Sequence, residues 1–238
     1  MGMSYYATDM CGRYTVSSPK KILSELTEAY DFQGMEARYN VAPNQMAPVV
    51  VSESNGKRRV LEMKWGFVPQ GVSNVGIGRP VINARSETAA EKPLFRDSVR
   101  RMRCVIAADG FYEWEKIDGG NQPYLVRLTG GTPFGFAGLW DRRQVLSGQM
   151  LETFTILTTR ANRLIAPLHD RMPIILGHQD RKLWLDSASG PDILADLSDP
   201  FPAEKMETFA VGNRVNDPRH DGPECVEPVS IQYRQTLF

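Results

Sequence analysis

The chain has 238 residues, 42% of them hydrophobic and 24% charged, which excludes a disordered or fibrous protein and suffices to bury a core without staples. Lys plus Arg and Asp plus Glu balance at 28 each, so no basic excess announces nucleic-acid binding, although a local basic cleft fits inside a neutral total. Three cysteines (Cys11, Cys104, Cys225) and three histidines (His169, His178, His220) show neither CxxC nor zinc spacing, which argues against a disulfide framework and for a reducing cytoplasm.

The first ten residues, MGMSYYATDM, lack the basic start and apolar stretch of a secretory signal. They read as a leader before Cys11, and Met10-Cys11 itself has the look of a start. No run of about twenty apolar residues follows, so no membrane-spanning segment is expected. Ser18-Pro19 is an N-cap followed by proline at the first helical position, and Ile22, Leu23, Leu26 and Tyr30 then share a helical face. VVVSESNGKRRVLEMKW predicts a β-hairpin around Asn55-Gly56. Further strands are expected at Arg103 to Ala107, Phe111 to Ile117, Pro123 to Leu128, Phe134 to Trp140, Thr153 to Thr159 and Met206 to Val211. Short helices are expected at Asn162 to Pro167, Gln179 to Leu185 and Asp192 to Leu197. Hairpins dominate and helices interrupt. The expected fold is α+β, a single domain with a curled, mainly antiparallel β pseudo-barrel and peripheral helices.

Several stretches are unusual for generic strand or loop. YNVAPNQ (Tyr39 to Gln45) packs asparagine and proline around a bend, and MKWGFVP (Met63 to Pro69) ends a strand on tryptophan, glycine and proline. INARSET (Ile82 to Thr88) puts Asn83, Arg85 and Glu87 on one face if it is extended. ADGFYEWE (Ala108 to Glu115) sets Glu113 between aromatics, and PLHDRMP (Pro167 to Pro173) carries His169, Asp170 and Arg171 in a proline-bounded loop. Each has a plain structural reading. Trp65 and Trp114 suit a core. Asn83 suits a turn and Glu113 a solvated strand face. His169 suits a loop, and Cys104 is a buried thiol.

Taken together and in order, MCGRY, NVAP, WGFVP, NARSET, ADGFYEW, AGLW, ILTTRAN and HDRMP resemble the SRAP family (SOS response-associated peptidase), whose members include proteins that trap abasic sites in single-stranded DNA. The resemblance runs from Cys11 to at least Leu176; VGNRVND (Val211 to Asp217) echoes the family's closing strand more loosely. It implies a leader over residues 1–10, whose removal the sequence leaves open, and one SRAP-like domain over residues 11–238.

The resemblance implies that Cys11 acts as an N-terminal residue. A free N-terminal cysteine is a 1,2-aminothiol: its amine attacks an aldehyde to give an imine, and its thiol closes on the imine carbon to give a thiazolidine. An internal cysteine cannot do this, because its nitrogen belongs to an amide. By the same resemblance Asn83 orients the reacting centre, Glu113 moves protons at the amine, and His169 assists imine formation and its reversal. Arg13, Arg85 and Arg171 hold phosphates, and Trp65 and Phe67 form a hydrophobic wedge on which bases stack. The implied partner is single-stranded DNA with abasic sites, bound by a monomer in the cytoplasm, at the nucleoid in a bacterium. No residue pattern calls for a metal or organic cofactor. Two other readings stand beside this one: a self-processing thiol peptidase using Cys11, Glu113 and His169, and a non-covalent nucleic-acid reader.

Overall fold

The structure is a computed structural model describing residues 11–26, 35–53, 55–68, 81–144 and 148–230. The leader, Tyr30 and Pro69 lie outside the described residues. Long β-branched and apolar runs build the centre. β3 (Met46–Ser52) and β4 (Arg58–Trp65) form the predicted hairpin, with Gly56 at φ 79° in its turn, a left-handed conformation that glycine adopts without a Cβ clash.

β6 (Arg103–Ala108) pairs antiparallel with β3 on one side and with β9 (Phe134–Gln144) on the other. β9 pairs antiparallel with β10 (Met150–Arg160), and β10 returns to β4 in parallel register. The order β4-β3-β6-β9-β10 therefore closes on itself and leaves no free edge within the ring. Short strands extend it. β5 (Asn83–Arg85) runs parallel to β10, while β11 (Arg171–Pro173) and β12 (Ile175–Leu176) pair with β10 and β9. The expected α+β pseudo-barrel is the observed architecture.

A second, five-stranded sheet has the order β13-β8-β7-β1-β2. Its members are β1 (Tyr14–Val16), β2 (Arg38–Val41), β7 (Gly110–Ile117), β8 (Gly120–Leu128) and β13 (Met206–Ala210). The main core joins both sheets. Tyr14 of β1 meets Trp65 edge-on at 5.2 Å and Phe136 at 5.9 Å, and Trp65 stacks on Phe154. Helix α1 (Pro19–Leu26) buries Ile22, Leu23 and Leu26, the face read from its periodicity.

Three expectations change. INARSET is extended only through Arg85; Ser86–Ala89 is a helical turn, α2, so Glu87 does not continue the Asn83–Arg85 face. A second unforeseen helix, α3 (Arg96–Arg101), precedes β6. Asn162 to Pro167 forms hydrogen-bonded turns, because the Asn162 side chain accepts from the N–H groups of Leu164 and Ile165 and competes with helix continuation. The helices near Gln179 and Asp192 are present as α4 (His178–Leu185) and α5 (Ile193–Asp196).

Barrel closure requires close approach at Gly138 on β9. A Cβ there would lie 2.1 Å from Ile106 Cδ1 and 2.9 Å from the Thr155 carbonyl oxygen. Gly138→Ala is expected to lower stability by about 1–3 kcal/mol through overpacking, read as a reduced urea midpoint at unchanged m-value. A wild-type midpoint would show that the strands separate freely at this point.

Candidate active site

The site is built on the pairing of β1 with β7. Tyr14 opposes Phe111 and Thr15 opposes Gly110, and the Tyr112 N–H donates to the Arg13 carbonyl at 3.0 Å. Continuing this antiparallel register sets Gly12 opposite Glu113, with Cys11 the next residue along. The Cys11 backbone nitrogen donates to Glu113 Oε1 at 3.0 Å, across 102 positions of sequence. Cys11 is 0% exposed and Glu113 3%.

Strand alternation explains the carboxyl's place. Phe111 and Glu113 share one face of β7, and Phe111 belongs to the main core. Tyr112 and Trp114 face the other way and pack in a separate small cluster with Val211, Val215 and Cys225. Glu113 is therefore enclosed by the core on its own face and not by the aromatics that flank it in sequence.

Burial dominates its chemistry. Loss of hydration pushes the Glu113 carboxyl up to about 8; the hydrogen bond from Cys11 opposes the rise and the nearby Asp170 carboxylate adds to it. The Cys11 thiol is also pushed well up, first by burial and then by Glu113. A thiol so placed is a poor thiolate by itself. Cys11 has φ 35°, an uncommon backbone conformation for a non-glycine residue.

Two carboxylates and an arginine hold this register. Asp109 accepts from Thr15 Oγ1 (2.5 Å), from the Ser17 N–H (2.9 Å) and from Ser17 Oγ (2.5 Å), tying β1 to the turn before α1. Arg13 is buried and donates to Asn40 Oδ1 (3.0 Å) and to the carbonyls of Val215 (2.6 Å) and Asn216 (3.4 Å). Asn40 itself donates to the carbonyls of Val215, Asp217 and His220. Asp221 accepts from the N–H groups of Tyr39 and Asn40 and pairs with Arg38, so a side chain satisfies the edge of β2. VGNRVND is thus held as a bend and short 3₁₀ turn (Asn213–Asn216) rather than a closing strand.

The remaining predicted residues divide. Asn83 is half-buried on β5, one residue after Ile82, whose carbonyl accepts the Trp65 indole N–H at 2.9 Å. His169 is half-buried on the loop between β10 and β11, and Asp170 beside it is the link to Glu113. Arg85 is exposed. Arg13 and Arg171 are otherwise engaged. Arg171 is buried, grips Glu87 through both guanidinium nitrogens (2.5 and 2.8 Å) and donates to the Thr158 carbonyl.

Trp65 and Phe67 are corrected to core residues, 0% and 2% exposed. Trp65 packs on Tyr14 and Phe154, and Phe67 on Phe95. Neither offers a ring face to a base in this conformation. Asn40, Asp109 and Asp221 carried no distinct functional signal, because buried hydrogen-bonding roles depend on partners remote in sequence.

A small α+β domain with a buried carboxyl against the nitrogen of a cysteine is the class that fold and site define. The chain belongs to the SRAP family: the family profile, SOS response associated peptidase (SRAP), matches residues 10–218. It is 36% identical over 226 residues to the abasic site processing protein YoqW of Bacillus subtilis (strain 168), covering 92% of this chain and 99% of that one. It is 27% identical over 281 residues to the abasic site processing protein HMCES of Pongo abelii, covering 96% and 78%. A crystal structure of a protein from Bacteroides thetaiotaomicron matches with TM-score 0.78 at 25% identity, covering 92% of this chain and 100% of that one.

The raised Glu113 carboxyl has a stability signature in the chain that retains the Met10–Cys11 bond. Unfolded, Glu113 ionises near 4.5; folded, it holds its proton to about 8. The native state binds the extra proton between these values, so wild-type stability falls as pH rises through that window and levels off above it. Glu113→Gln removes the titration. The melting temperature of the variant relative to wild type should rise from pH 5 to pH 8 and then stay level. A difference independent of pH would mean that Glu113 ionises normally.

Proposed function

We propose that the protein processes abasic sites in single-stranded DNA, forming a covalent thiazolidine crosslink through an N-terminal Cys11 exposed by breaking the Met10–Cys11 bond. The observation that carries this reading is the Cys11 nitrogen donating to Glu113 at 3.0 Å. A peptidase base serves its nucleophile's sulfur. Here the buried carboxyl serves the nitrogen, which is the atom an aldehyde trap needs. The relatives' names, abasic site processing protein, support the abasic site as the lesion acted on.

The chemistry follows in order. Hydrolysis of the Met10–Cys11 peptide frees an α-amine, whose ordinary pKa is about 7.7–8.0. Glu113, at about 8 beside the peptide nitrogen, lies in the same range. Once an ammonium group replaces the amide, its charge draws the carboxyl toward the ionised form. The carboxylate takes the ammonium proton and leaves a neutral, nucleophilic amine. The amine adds to the aldehyde of the ring-opened sugar. The carboxyl gives its proton to the carbinolamine hydroxyl, which leaves as water, and the carboxylate takes the proton still on nitrogen, leaving an imine. The Cys11 thiol adds to the imine carbon, its proton goes to nitrogen, and the ring closes. The net change is loss of one water. In reverse, the sequence releases the aldehyde, with His169 as a proton donor and acceptor. Asn83 would hold the sugar hydroxyls and Arg85 a neighbouring phosphate.

Self-removal of the leader would be a second activity, and the backbone at Cys11 would help drive cleavage by this or any other agent. The φ of Cys11 exists only while the Met10–Cys11 peptide is intact, so the strain of roughly 1 kcal/mol or more that it stores disappears on cleavage. Leader loss at the same rate in a Cys11→Ser/His169→Ala chain would rule that activity out.

The test of the main reading is incubation of the mature protein with a single-stranded oligonucleotide carrying one abasic site, followed by a denaturing gel. Wild type should shift the DNA. Cys11→Ala should give no heat-stable product, and Glu113→Gln should slow its formation by about 10²-fold. Undiminished crosslinking by Cys11→Ala would defeat the proposal. Retained DNA affinity with no covalent product in wild type would favour a non-covalent reader.

A further inference from the structure

The loop carrying His169 is fixed at three consecutive backbone positions. The His169 N–H donates to the Ile165 carbonyl (3.0 Å), the Asp170 carbonyl accepts from the Ala161 N–H (2.9 Å), and Arg171 enters β11. On this frame His169 Nδ1 has two neighbours of opposite kind. The Arg171 N–H donates to it at 3.0 Å, and Asp170 Oδ1 lies 2.9 Å away.

We infer that Asp170 is a positioning residue for the reaction at Cys11: it holds the His169 ring through Nδ1 and leaves Nε2 as the nitrogen that exchanges protons with the substrate. This rests on the crosslinking reading above. With the neutral ring's proton on Nε2, the Nδ1 lone pair accepts the Arg171 N–H and Nε2 can only donate. With the proton on Nδ1, Nδ1–H donates to the Asp170 carboxylate and the Nε2 lone pair is free to take a proton from the substrate. The doubly protonated ring keeps Nδ1–H on Asp170 and gives up the Nε2 proton, so the carboxylate supports Nε2 as base in crosslink formation and as acid in release without the ring turning.

The carboxylate also acts across the site, since it helps raise the Glu113 carboxyl. That negative charge favours the protonated form of Glu113. Among the described residues, neighbouring charged groups are in ion pairs: Arg171 with Glu87 across β11 and α2, Arg163 with Glu204 at 3.8 Å, and Arg160 with Asp199 at 4.0 Å. The Asp170 side chain is 81% exposed, so water weakens its influence and its removal leaves the fold intact.

The experiment compares wild type, Asp170→Asn and Asp170→Glu, each matured to Cys11. Crosslink formation and reversal on an abasic oligonucleotide are followed from pH 5 to pH 8, with affinity for the intact oligonucleotide as the control. Asp170→Asn should slow reversal about fivefold near neutrality and move the acid limb of the profile to lower pH, with affinity within about twofold. Asp170→Glu should restore most of the rate. An Asp170→Asn profile that superimposes on wild type would overturn this inference while leaving the crosslinking reading intact. A wild-type chain that forms no crosslink at any pH would overturn both.

Discussion

A carboxyl group at a core position of a β-strand is costly unless the fold gives it a partner. Glu113 occupies such a position, and its partner is the nitrogen of Cys11. That contact joins residues 102 positions apart and depends on the register of two short strands. A slip of one residue would turn Glu113 to the opposite face and remove it from Cys11 altogether. Much of the surrounding structure can be read as the means of preventing that slip.

The means are polar on one side and apolar on the other. Asp109 clamps the end of β1, while Arg13 and Asn40 bind β1 and β2 to the chain near residues 215–220. Tyr14, between Arg13 and the Asp109 clamp at Thr15, sets its ring against Trp65 and Phe136 of the closed barrel. Residues 11–14 and YNVAPNQ are therefore one assembly, and its product is the position of a single nitrogen atom. Arg171 plays a comparable part across the site, where its grip on Glu87 and Thr158 fixes the start of β11 next to His169.

The strands and the main hairpin were legible because their signals are local: β-branched runs, an Asn-Gly turn and a proline-started helix. The closed barrel was legible only as a tendency to curl, since the parallel return of β10 to β4 leaves no mark in either segment. Among site residues, Cys11, Glu113 and His169 were singled out through resemblance, and the structure adds the hydrogen bond that brings the first two together. Arg13, Arg171, Trp65 and Phe67 show what such reading leaves open. A motif arginine or tryptophan looks the same in sequence whether it faces a ligand or the interior. Only the packing around it decides, and here the packing turns all four inward. Asp170 sat in plain view between His169 and Arg171, but its meaning depends on a ring nitrogen 2.9 Å away.

The account stands or falls on the nitrogen of Cys11. The most direct measurement is the mass of the DNA-linked peptide after proteolysis of a crosslinked sample. The account predicts a peptide beginning at Cys11, joined to DNA with loss of one water, its sulfur no longer open to alkylation. A DNA-linked peptide that still contains Met10, or one whose Cys11 thiol alkylates freely, would contradict it.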